Sequence, residues 1–256
     1  MDISSNNNCF SSSPSGVMNS AMIFAAGLGT RLKPFTDNHP KALAMVNGQS
    51  LLQRNIIYLQ QFGITNVIVN VHHFANQIVD TVEQHNGWGS NITISDETDE
   101  VLETGGGLKR ASWYFNESEN FVVMNADILT DLNLSAMVQQ HLQYQPIATL
   151  AVSDRQSSRY FLFDDGNNLC GWLNEKTGET RISKPAITYH KKAFSGLQIV
   201  NVKLLQLITQ QGKFSIVDVY LELAKTYSIK GFDCTNAKFI DVGKPENIAL
   251  AETMFI

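Results

Sequence analysis

The first half of the chain alternates short apolar runs with segments whose apolar residues recur at helical spacing. The apolar runs have the length expected of buried parallel strands, and a Ser cap and a Gly stop bracket the first helical segment. Predicted strands occupy residues 21–27, 66–72, 92–95 and 121–127, and predicted helices occupy residues 50–63, 75–85 and 107–115. This alternation predicts an α/β fold with a doubly wound, parallel sheet.

After residue 147 the alternation becomes less regular. Predicted strands at 147–153, 160–165, 196–201 and 238–242 and predicted helices at 216–227 and 246–255 indicate a more mixed sheet. The polar stretch 174–192 is expected to form a loop over a substrate cleft. We therefore expect one domain over residues 21–256, with a small lobe at about residues 150–200.

The ends and the composition of the chain restrict its class. Residues 1–20 are rich in Ser and Asn and lack a basic segment followed by an apolar one, so we expect a disordered extension and no signal peptide. A formal net charge of −5 with 43% hydrophobic residues is typical of a soluble globular protein, and argues against a nucleic-acid or membrane partner. Three cysteines without CxxC spacing indicate a reducing compartment, so we expect a cytoplasmic protein without a zinc site.

The most informative segment is the glycine-containing stretch that follows the first predicted strand. Gly27 and Gly29 precede Thr30, and such a turn between strand and helix commonly holds phosphate. Leu32 stands where the dinucleotide fingerprint GxGxxG requires its third glycine, and no acidic residue ends the second predicted strand. The P-loop pattern also fails, because no Gly-Lys pair follows at its spacing. Neither motif explains the stretch.

The pattern that does fit reads GxGTRxxPxT…PK and ends at Pro40 and Lys41. Glycines allow backbone N–H groups to approach a polyphosphate closely. Arg31 can bind phosphate oxygens through a two-pronged fork, and Lys41 adds a compact charge. Two cations exceed what binding alone requires. The pattern therefore favours neutralisation of charge during phosphoryl-group transfer over an ordinary strand-to-helix turn.

Carboxylates suited to Mg²⁺ lie at two of the predicted strands. Asp127 ends the strand at 121–127, at the edge where α/β sheets bind ligands, and Asp241 lies in the run 238–242. The two residues are 114 positions apart, so only the fold can bring them together. Each could instead be a turn-forming aspartate, and the residues alone leave both interpretations open.

Together these motifs resemble those of the sugar-1-phosphate nucleotidyltransferases, whose signature is GxGxRxxPxTxxxPK. The resemblance extends from about residue 21 to the C-terminus. It implies a three-layer α/β/α Rossmann-like (GT-A-like) fold, with a mixed, predominantly parallel central sheet and a small acceptor-side lobe that binds the sugar. Ala42 and Met45 replace prolines common in the family, so we expect altered loop rigidity without lost chemistry.

The resemblance also implies roles for the matching residues. The strings NAD and IDVG match metal-binding motifs, which makes Asp127 and Asp241 the expected Mg²⁺ ligands. Arg31 and Lys41 are the expected catalytic residues. The expected nucleoside triphosphate site comprises Ala26, Gly27, Gly29, Thr30, Arg31, Lys41, Gly105, Gly106 and Asn125. The expected sugar-phosphate site comprises Glu175, Lys176 and Gly196, although Thr177 replaces the proline of the family's E-K-P segment.

The string ETGGG, residues 103–107, is expected to form a loop against the nucleobase and ribose. It resembles the bacterial N-acetylmuramate-1-phosphate uridylyltransferase subgroup, and also some mannose- and heptose-1-phosphate enzymes. The resemblance thus implies transfer from UTP to N-acetylmuramate 1-phosphate in the recycling of cell-wall sugars. There are three enzymatic alternatives. They are guanylyl transfer to mannose or heptose 1-phosphate, uridylyl transfer to N-acetylglucosamine 1-phosphate, and cytidylyl transfer to choline or ethanolamine phosphate. A non-catalytic nucleotide-sugar-binding regulatory protein is an alternative of another class. We expect a monomer or a weak homo-oligomer.

Overall fold

The alternation of side chains along the first strand explains why the central sheet is covered on both sides. A computed structural model describes residues 18–256 of the chain. In strand β1 (Ser20–Phe24), Ala21 and Ile23 face one hydrophobic core and Met22 faces a second, because successive side chains point to opposite faces of a sheet. All three are fully buried, so each face of the sheet needs a layer of helices.

The other elements follow in chain order. The strands are β2 (Met45–Val46), β3 (Gln49–Ser50), β4 (Asn66–Val71), β5 (Asn91–Asp96), β6 (Asn120–Asn125), β7 (Ile128–Thr130), β8 (Ala148–Ser153), β9 (Arg159–Phe163), β10 (Leu169–Asn174), β11 (Glu179–Ile182), β12 (His190–Asn201), β13 (Ile229–Asp233) and β14 (Phe239–Asp241). The α-helices are α1 (Leu51–Gln60), α2 (Ala75–Gln84), α3 (Glu103–Arg110), α4 (Leu134–Tyr144), α5 (Lys203–Leu207), α6 (Ile216–Leu223) and α7 (Pro245–Met254).

The central sheet has the strand order β5–β4–β1–β6–β12–β8–β13. β1 pairs in parallel with β4 and β6, with Ile23 opposite Val69 on one side and Met124 on the other. β12 runs antiparallel to both of its neighbours in this sheet, and β13 is again parallel to β8. The sheet is therefore mixed and mostly parallel, which confirms the expected class.

Helices on both faces complete the three-layer architecture. α1, α2 and α4 contribute to one core, in which Leu52 and Ile78 are fully buried. α3, α5 and α6 contribute to the other core, in which Leu108 and Val219 are buried. Because β1, β4 and β6 run parallel, their carboxyl ends meet at one edge of the sheet.

Strand β12 connects the central sheet to a smaller one. Residues 190–192 pair with β9, and the register then shifts between Phe194 and Gln198, where the strand joins β8 and β6. β9, β10 and β11 continue the smaller sheet as antiparallel neighbours. Since β8 and the end of β12 belong to the central sheet, this smaller sheet takes up only part of the lobe expected at about residues 150–200.

Several expected elements differ from the structure. The stretch 174–192 contains β11 and the start of β12, so it is not one long loop. The ETGGG string is the first part of helix α3 and not a loop before it. The helix expected at 107–115 ends at Arg110 and is followed by a 3₁₀ turn, and α6 ends at Leu223, four residues earlier than expected.

The disordered extension expected at residues 1–20 falls outside the described residues as far as residue 17. Ser20 already belongs to β1, and Met18 packs into the core, so the folded part begins before residue 21. Among the helices of residues 18–256, none combines the length and the apolar character that crossing a membrane requires.

Candidate active site

The glycine loop, which we define as residues 25–30, leaves the end of β1 and turns sharply at Gly29. Gly29 adopts a φ of 62°, and a Cβ at this position would lie 2.8 Å from the Cγ2 methyl group of Thr36. The Gly29 carbonyl accepts hydrogen bonds from the Leu32 N–H at 2.8 Å and the Thr36 hydroxyl at 2.9 Å. These contacts fix the 3₁₀ turn that carries Arg31. Around Gly27 there is open space, which leaves room for a ligand against the backbone.

Lys41 is held by a second 3₁₀ turn that follows Pro40. The Leu43 N–H donates to the Pro40 carbonyl at 3.0 Å, and the side chain of Ala42 is buried in the core below. Only 12% of the Lys41 side chain is exposed, and its Nζ contacts Oδ2 of Asp127. The ammonium group therefore has a fixed place beside a carboxylate, which a solvated surface lysine would not have.

The two carboxylates meet because β7 and β14 form a two-stranded ribbon. Asp241 is paired with Ile128, and the Val242 N–H donates to the Asp127 carbonyl at 2.8 Å. Lys41 Nζ lies 3.9 Å from Oδ1 of Asp241, so one ammonium group lies between the carboxylates. The fold thus brings Asp127 and Asp241 to one place from positions far apart in the sequence.

Arg31 completes a cluster of two cations and two carboxylates. Its Nη2 lies 3.6 Å from Oδ2 of Asp241. Gly243 makes this approach possible, because a Cβ there would lie 2.7 Å from the Nη2 atom of Arg31 and 2.5 Å from Oδ1 of Asp241. The glycine of the IDVG string therefore provides space for the charged groups.

The Oδ1 atom of Asp241 is buried and has no hydrogen-bond partner among the described residues. A buried carboxylate oxygen without a donor is costly, and a hard cation with a preference for oxygen ligands would satisfy it. Residues 18–256 contain no cluster of three or more His, Cys, Asp and Glu side chains that could hold a metal ion. An ion at Asp127 and Asp241 would therefore need phosphate oxygens or waters as further ligands.

A cavity of about 530 Å³ opens beside the glycine loop, and we call it the loop cavity. It lies at the carboxyl ends of β1, β4 and β6, where Phe24, Asn70 and Asn125 line it. The residues expected at the triphosphate that also line it are Ala26, Gly27, Gly29, Thr30, Lys41 and Asn125, together with the expected metal ligand Asp127. Arg31 lies outside this lining, at the neighbouring cavity.

Gly105 and Gly106 do not line the loop cavity; their neighbours Glu103 and Thr104 do. Both glycines lie inside α3, and their N–H groups donate to the Phe214 carbonyl at 2.9 and 3.2 Å. Their backbone donors are thus already used in packing. The role expected for them at the nucleobase remains a prediction.

A second cavity of about 850 Å³, the lobe cavity, lies between the charged cluster and the smaller sheet. Arg31 and Asp241 line it from the cluster side, and Lys176 lines it from the turn after β10. Glu175 points elsewhere, since its carboxylate accepts from Lys191 Nζ at 2.7 Å. Gly196 lies at the register shift of β12 with a φ of 70°, and a Cβ there would lie 2.8 Å from Nδ2 of Asn125.

A buried polar network behind the loop cavity was not anticipated from the sequence. Oδ1 of Asn70 accepts the Ala25 N–H at 2.8 Å, and Nδ2 of Asn70 donates to Oε1 of Glu97 at 2.8 Å. Glu97 has no exposed surface, and its Oε2 has no partner among the described residues. A Cβ on Gly107 would lie 2.7 Å from Oε1 of Glu97, so this glycine leaves space for the network that fixes the start of the glycine loop. The sequence signal that could have revealed this network is Asn70, a polar residue near the end of a buried strand, as Asn125 is in β6.

The buried carboxyl group of Glu97 makes the stability of the protein depend on pH. Burial raises the pKa of Glu97 above its ordinary value of 4.5, against the opposing hydrogen bond from Asn70. The folded state therefore binds more protons than the unfolded state, and stability falls as the pH rises above this value. We expect Glu97→Gln, which keeps the acceptor for Asn70, to melt at a higher temperature than the unmodified protein, by a margin that grows as the pH rises above 4.5. A margin that is constant or shrinks over this range would show that Glu97 is buried as the carboxylate. Glu100→Gln, an exposed acid in the same segment, is the control.

The profile of the family described as Nucleotidyl transferase matches residues 20–249. The chain belongs to this family. The match spans the glycine loop, Lys41 and both carboxylates of the cluster, so these residues lie within the part of the chain that matches the family.

The relatives within the nucleotidyl transferase family differ in the substrates that they are named for. The N-acetylmuramate alpha-1-phosphate uridylyltransferase of Neisseria meningitidis serogroup B is 38% identical over 119 residues, 46% of this chain and 51% of that protein. The match thus spans about half the length of that relative. The D-glycero-alpha-D-manno-heptose 1-phosphate guanylyltransferase of Aneurinibacillus thermoaerophilus is 28% identical over 242 residues, 91% of this chain and 96% of that protein.

A solved structure supports the same placement. HddC from Yersinia pseudotuberculosis, complexed with GMP-PN, is similar to this chain with a TM-score of 0.75 and 27% identity. The similarity covers 93% of this chain and 100% of that one, so it includes both sheets described above. The fold predicted from the strand and helix pattern is therefore also the fold of this solved structure.

Proposed function

We propose that this chain catalyses transfer of a nucleotidyl group from a nucleoside triphosphate to a sugar 1-phosphate. An oxygen of the sugar phosphate attacks the α-phosphorus in line, the bond from that phosphorus to the bridging oxygen of the β-phosphate breaks, and pyrophosphate leaves. A phosphate monoester oxygen is already ionised at neutral pH, so the step needs no protein nucleophile. Catalysis then consists of positioning and of neutralising charge.

The observation that carries this proposal is the charged cluster between two cavities. Lys41 and Asp127 line the loop cavity, whereas Arg31 and Asp241 line the lobe cavity. The loop cavity would hold the triphosphate against the glycine loop, and the lobe cavity would hold the acceptor. Lys41 would neutralise charge at the α-phosphate. Arg31, which the sequence pattern placed nearer the leaving pyrophosphate, lines the lobe cavity and would therefore neutralise charge on the acceptor side of the α-phosphate.

The residues of the cluster fit a magnesium ion. The unpartnered Oδ1 of Asp241 and the carboxylate of Asp127 are oxygen ligands at the place where the phosphates would lie. When bound, Mg²⁺ would supply neutralisation of the phosphate oxygens without any transfer of protons. Before an ion binds, Lys41 and Arg31 together balance the charges of the two carboxylates.

We further propose UTP and N-acetylmuramate 1-phosphate as the substrates. The ETGGG string and the 38% identity to the Neisseria uridylyltransferase support this choice. Guanylyl transfer to a heptose or mannose 1-phosphate is the second candidate, because the similarity to the heptose 1-phosphate guanylyltransferase covers nearly the whole of both proteins. A regulatory protein without activity is disfavoured, since all four charged residues of the cluster are present.

The test is pyrophosphate release measured for each pair of four nucleoside triphosphates and a panel of acceptors, with Mg²⁺ and with EDTA. The panel contains N-acetylmuramate, N-acetylglucosamine, mannose and heptose 1-phosphates. We expect release only with Mg²⁺, and highest with UTP and N-acetylmuramate 1-phosphate. Preference for GTP with mannose or heptose 1-phosphate would support the proposed class of reaction and contradict the proposed substrates. Release from none of the pairs would contradict the proposed function.

A further inference from the structure

The lobe cavity carries an excess of positive charge that the sequence motifs do not explain. Its lining includes the cations Arg31, Arg155, Arg159 and Lys176, and Asp241 is its one carboxylate. Such a cavity favours an anionic ligand, because converging cations create a local positive potential that attracts negative charge. Two of these cations, Arg155 and Arg159, belong to no motif of the sequence.

Among these cations, Arg155 is held in one orientation from two sides. Its Nη2 donates to the Phe194 carbonyl at 2.7 Å, and its guanidinium carbon lies 4.8 Å from the ring centroid of Phe239. Phe194 is at the register shift of β12, and Phe239 lies two residues before Asp241. The guanidinium group is therefore tied to β12 and β14, and a residue of each of these strands lines the lobe cavity. Arg159, by contrast, is exposed.

Arg155 also has an unused donor. Its Nε is buried and has no hydrogen-bond partner among the described residues. A buried N–H without an acceptor destabilises the folded state, and charge-assisted hydrogen bonds to phosphate oxygens would remove this penalty. Burial lowers the pKa of Arg155, an effect that the neighbouring Asp241 opposes, so an anion placed here would relieve an unfavourably desolvated charge.

We propose that Arg155 binds the phosphate group of the sugar 1-phosphate in the lobe cavity and fixes its direction of attack. The inference rests on the proposed function for the identity of the anion. Arg155 lines the lobe cavity and not the loop cavity, which assigns it to the acceptor and not to the triphosphate. Asp241 of the charged cluster lines the same cavity, so a phosphate bound at Arg155 would lie on the acceptor side of the cluster, where the α-phosphorus must lie.

The kinetic test uses Arg155→Ala and Arg155→Lys in the full chain. We expect Arg155→Ala to raise the KM for the sugar 1-phosphate about tenfold or more and to leave the KM for the triphosphate within about twofold, because a charge-assisted hydrogen bond is lost on the acceptor side only. Arg155→Lys should recover only part of this loss, since an ammonium group cannot reproduce the planar fork. Added guanidinium ion at millimolar concentration should partly restore Arg155→Ala. Equal changes in both KM values would overturn the assignment.

Arg54→Ala is the matched control. Arg54 is also a partly buried arginine that donates to a backbone carbonyl, from its Nε to Val46 at 2.9 Å, and it lines neither cavity. Its loss should lower the melting temperature and leave both KM values unchanged. If Arg54→Ala raises the acceptor KM as much as Arg155→Ala, the effect is one of folding and the assignment fails.

Binding of inorganic phosphate, measured by calorimetry, separates this inference from the proposed function. We expect the unmodified protein and Arg54→Ala to bind phosphate equally, and Arg155→Ala to bind it at least about tenfold more weakly. This result would support an anion site at Arg155 even if no pair of substrates released pyrophosphate. Equal binding by Arg155→Ala, or no binding by the unmodified protein, would overturn the inference.

Discussion

Asp127→Asn is expected to abolish pyrophosphate release while leaving the fold intact. Asparagine has the size of aspartate and can still accept a hydrogen bond from Lys41, so the ribbon of β7 and β14 keeps its packing. The change removes a negative charge from the proposed metal site, where a bound ion would supply several kcal/mol of transition-state stabilisation. We therefore expect a loss of about a thousandfold or more in turnover.

The measurement for Asp127 is the rate of pyrophosphate release over a range of Mg²⁺ concentrations. Asp131→Asn is the control, because Asp131 follows β7 and its Oδ1 accepts the Lys238 N–H at 2.7 Å on the exposed side of the same ribbon. This control should retain full turnover. Normal turnover in Asp127→Asn, with unchanged demand for Mg²⁺, would remove Asp127 from the metal site.

Lys41→Ala should lower turnover about 10²–10³-fold, the cost typical of deleting one preorganised donor that stabilises charge in the transition state. The effect on stability should be much smaller. Asp127 and Asp241 keep 23% and 43% of their side chains exposed, and Arg31 remains beside Asp241. Solvent and this second cation limit the repulsion between the two carboxylates that are left.

The control for Lys41 is Lys33→Ala, which removes an exposed lysine paired with Asp37 at 2.9 Å in the preceding turn. It should change neither turnover nor melting temperature appreciably. The double variant Lys41→Ala, Asp127→Asn should recover the stability lost by Lys41→Ala and remain inactive. A loss of stability in Lys41→Ala that accounts for its whole loss of activity would instead assign Lys41 a structural role.

The elements predicted correctly are those whose signal is local. β1 and the glycine loop could be predicted because a buried parallel strand is continuously apolar and a backbone turn at Gly29 requires glycine. That Asp127 and Asp241 act together was predicted from the family resemblance and could not be predicted from their spacing. Their proximity depends on a ribbon between strands of three residues each. Strands this short give no periodic pattern.

The expectations that failed did so where tertiary contacts override local preference. Three consecutive glycines disfavour a helix by about 1 kcal/mol each, which is why residues 103–107 indicated a loop. In the structure, Gly105 and Gly106 pack so closely on Phe214 and Gly212 that side chains would not fit, and the helix forms regardless. β11 was not predicted because it is a largely exposed edge strand, in which apolar and polar residues do not alternate.

Arg155 shows a different limit of the sequence. Its contacts are a carbonyl at position 194 and a ring at position 239, both far along the chain. Nothing in the surrounding string DRQSSR distinguishes this residue from a solvated arginine. A role that depends on long-range contacts becomes visible only when the fold places those contacts around the side chain.

The ribbon of β7 and β14, which brings the two carboxylates together, is expected to form late during folding. Asp127 and Asp241 come together through only three paired residues on each side, whereas the central sheet is held by longer strands and two buried cores. Contacts between positions so distant are slow to form, and a ribbon of three residue pairs opens more readily than a sheet of longer strands. A chain whose sheet has formed but whose ribbon has not is thus compact yet unable to assemble both carboxylates. Enzymatic activity would consequently disappear during gradual denaturation while most of the secondary structure persists.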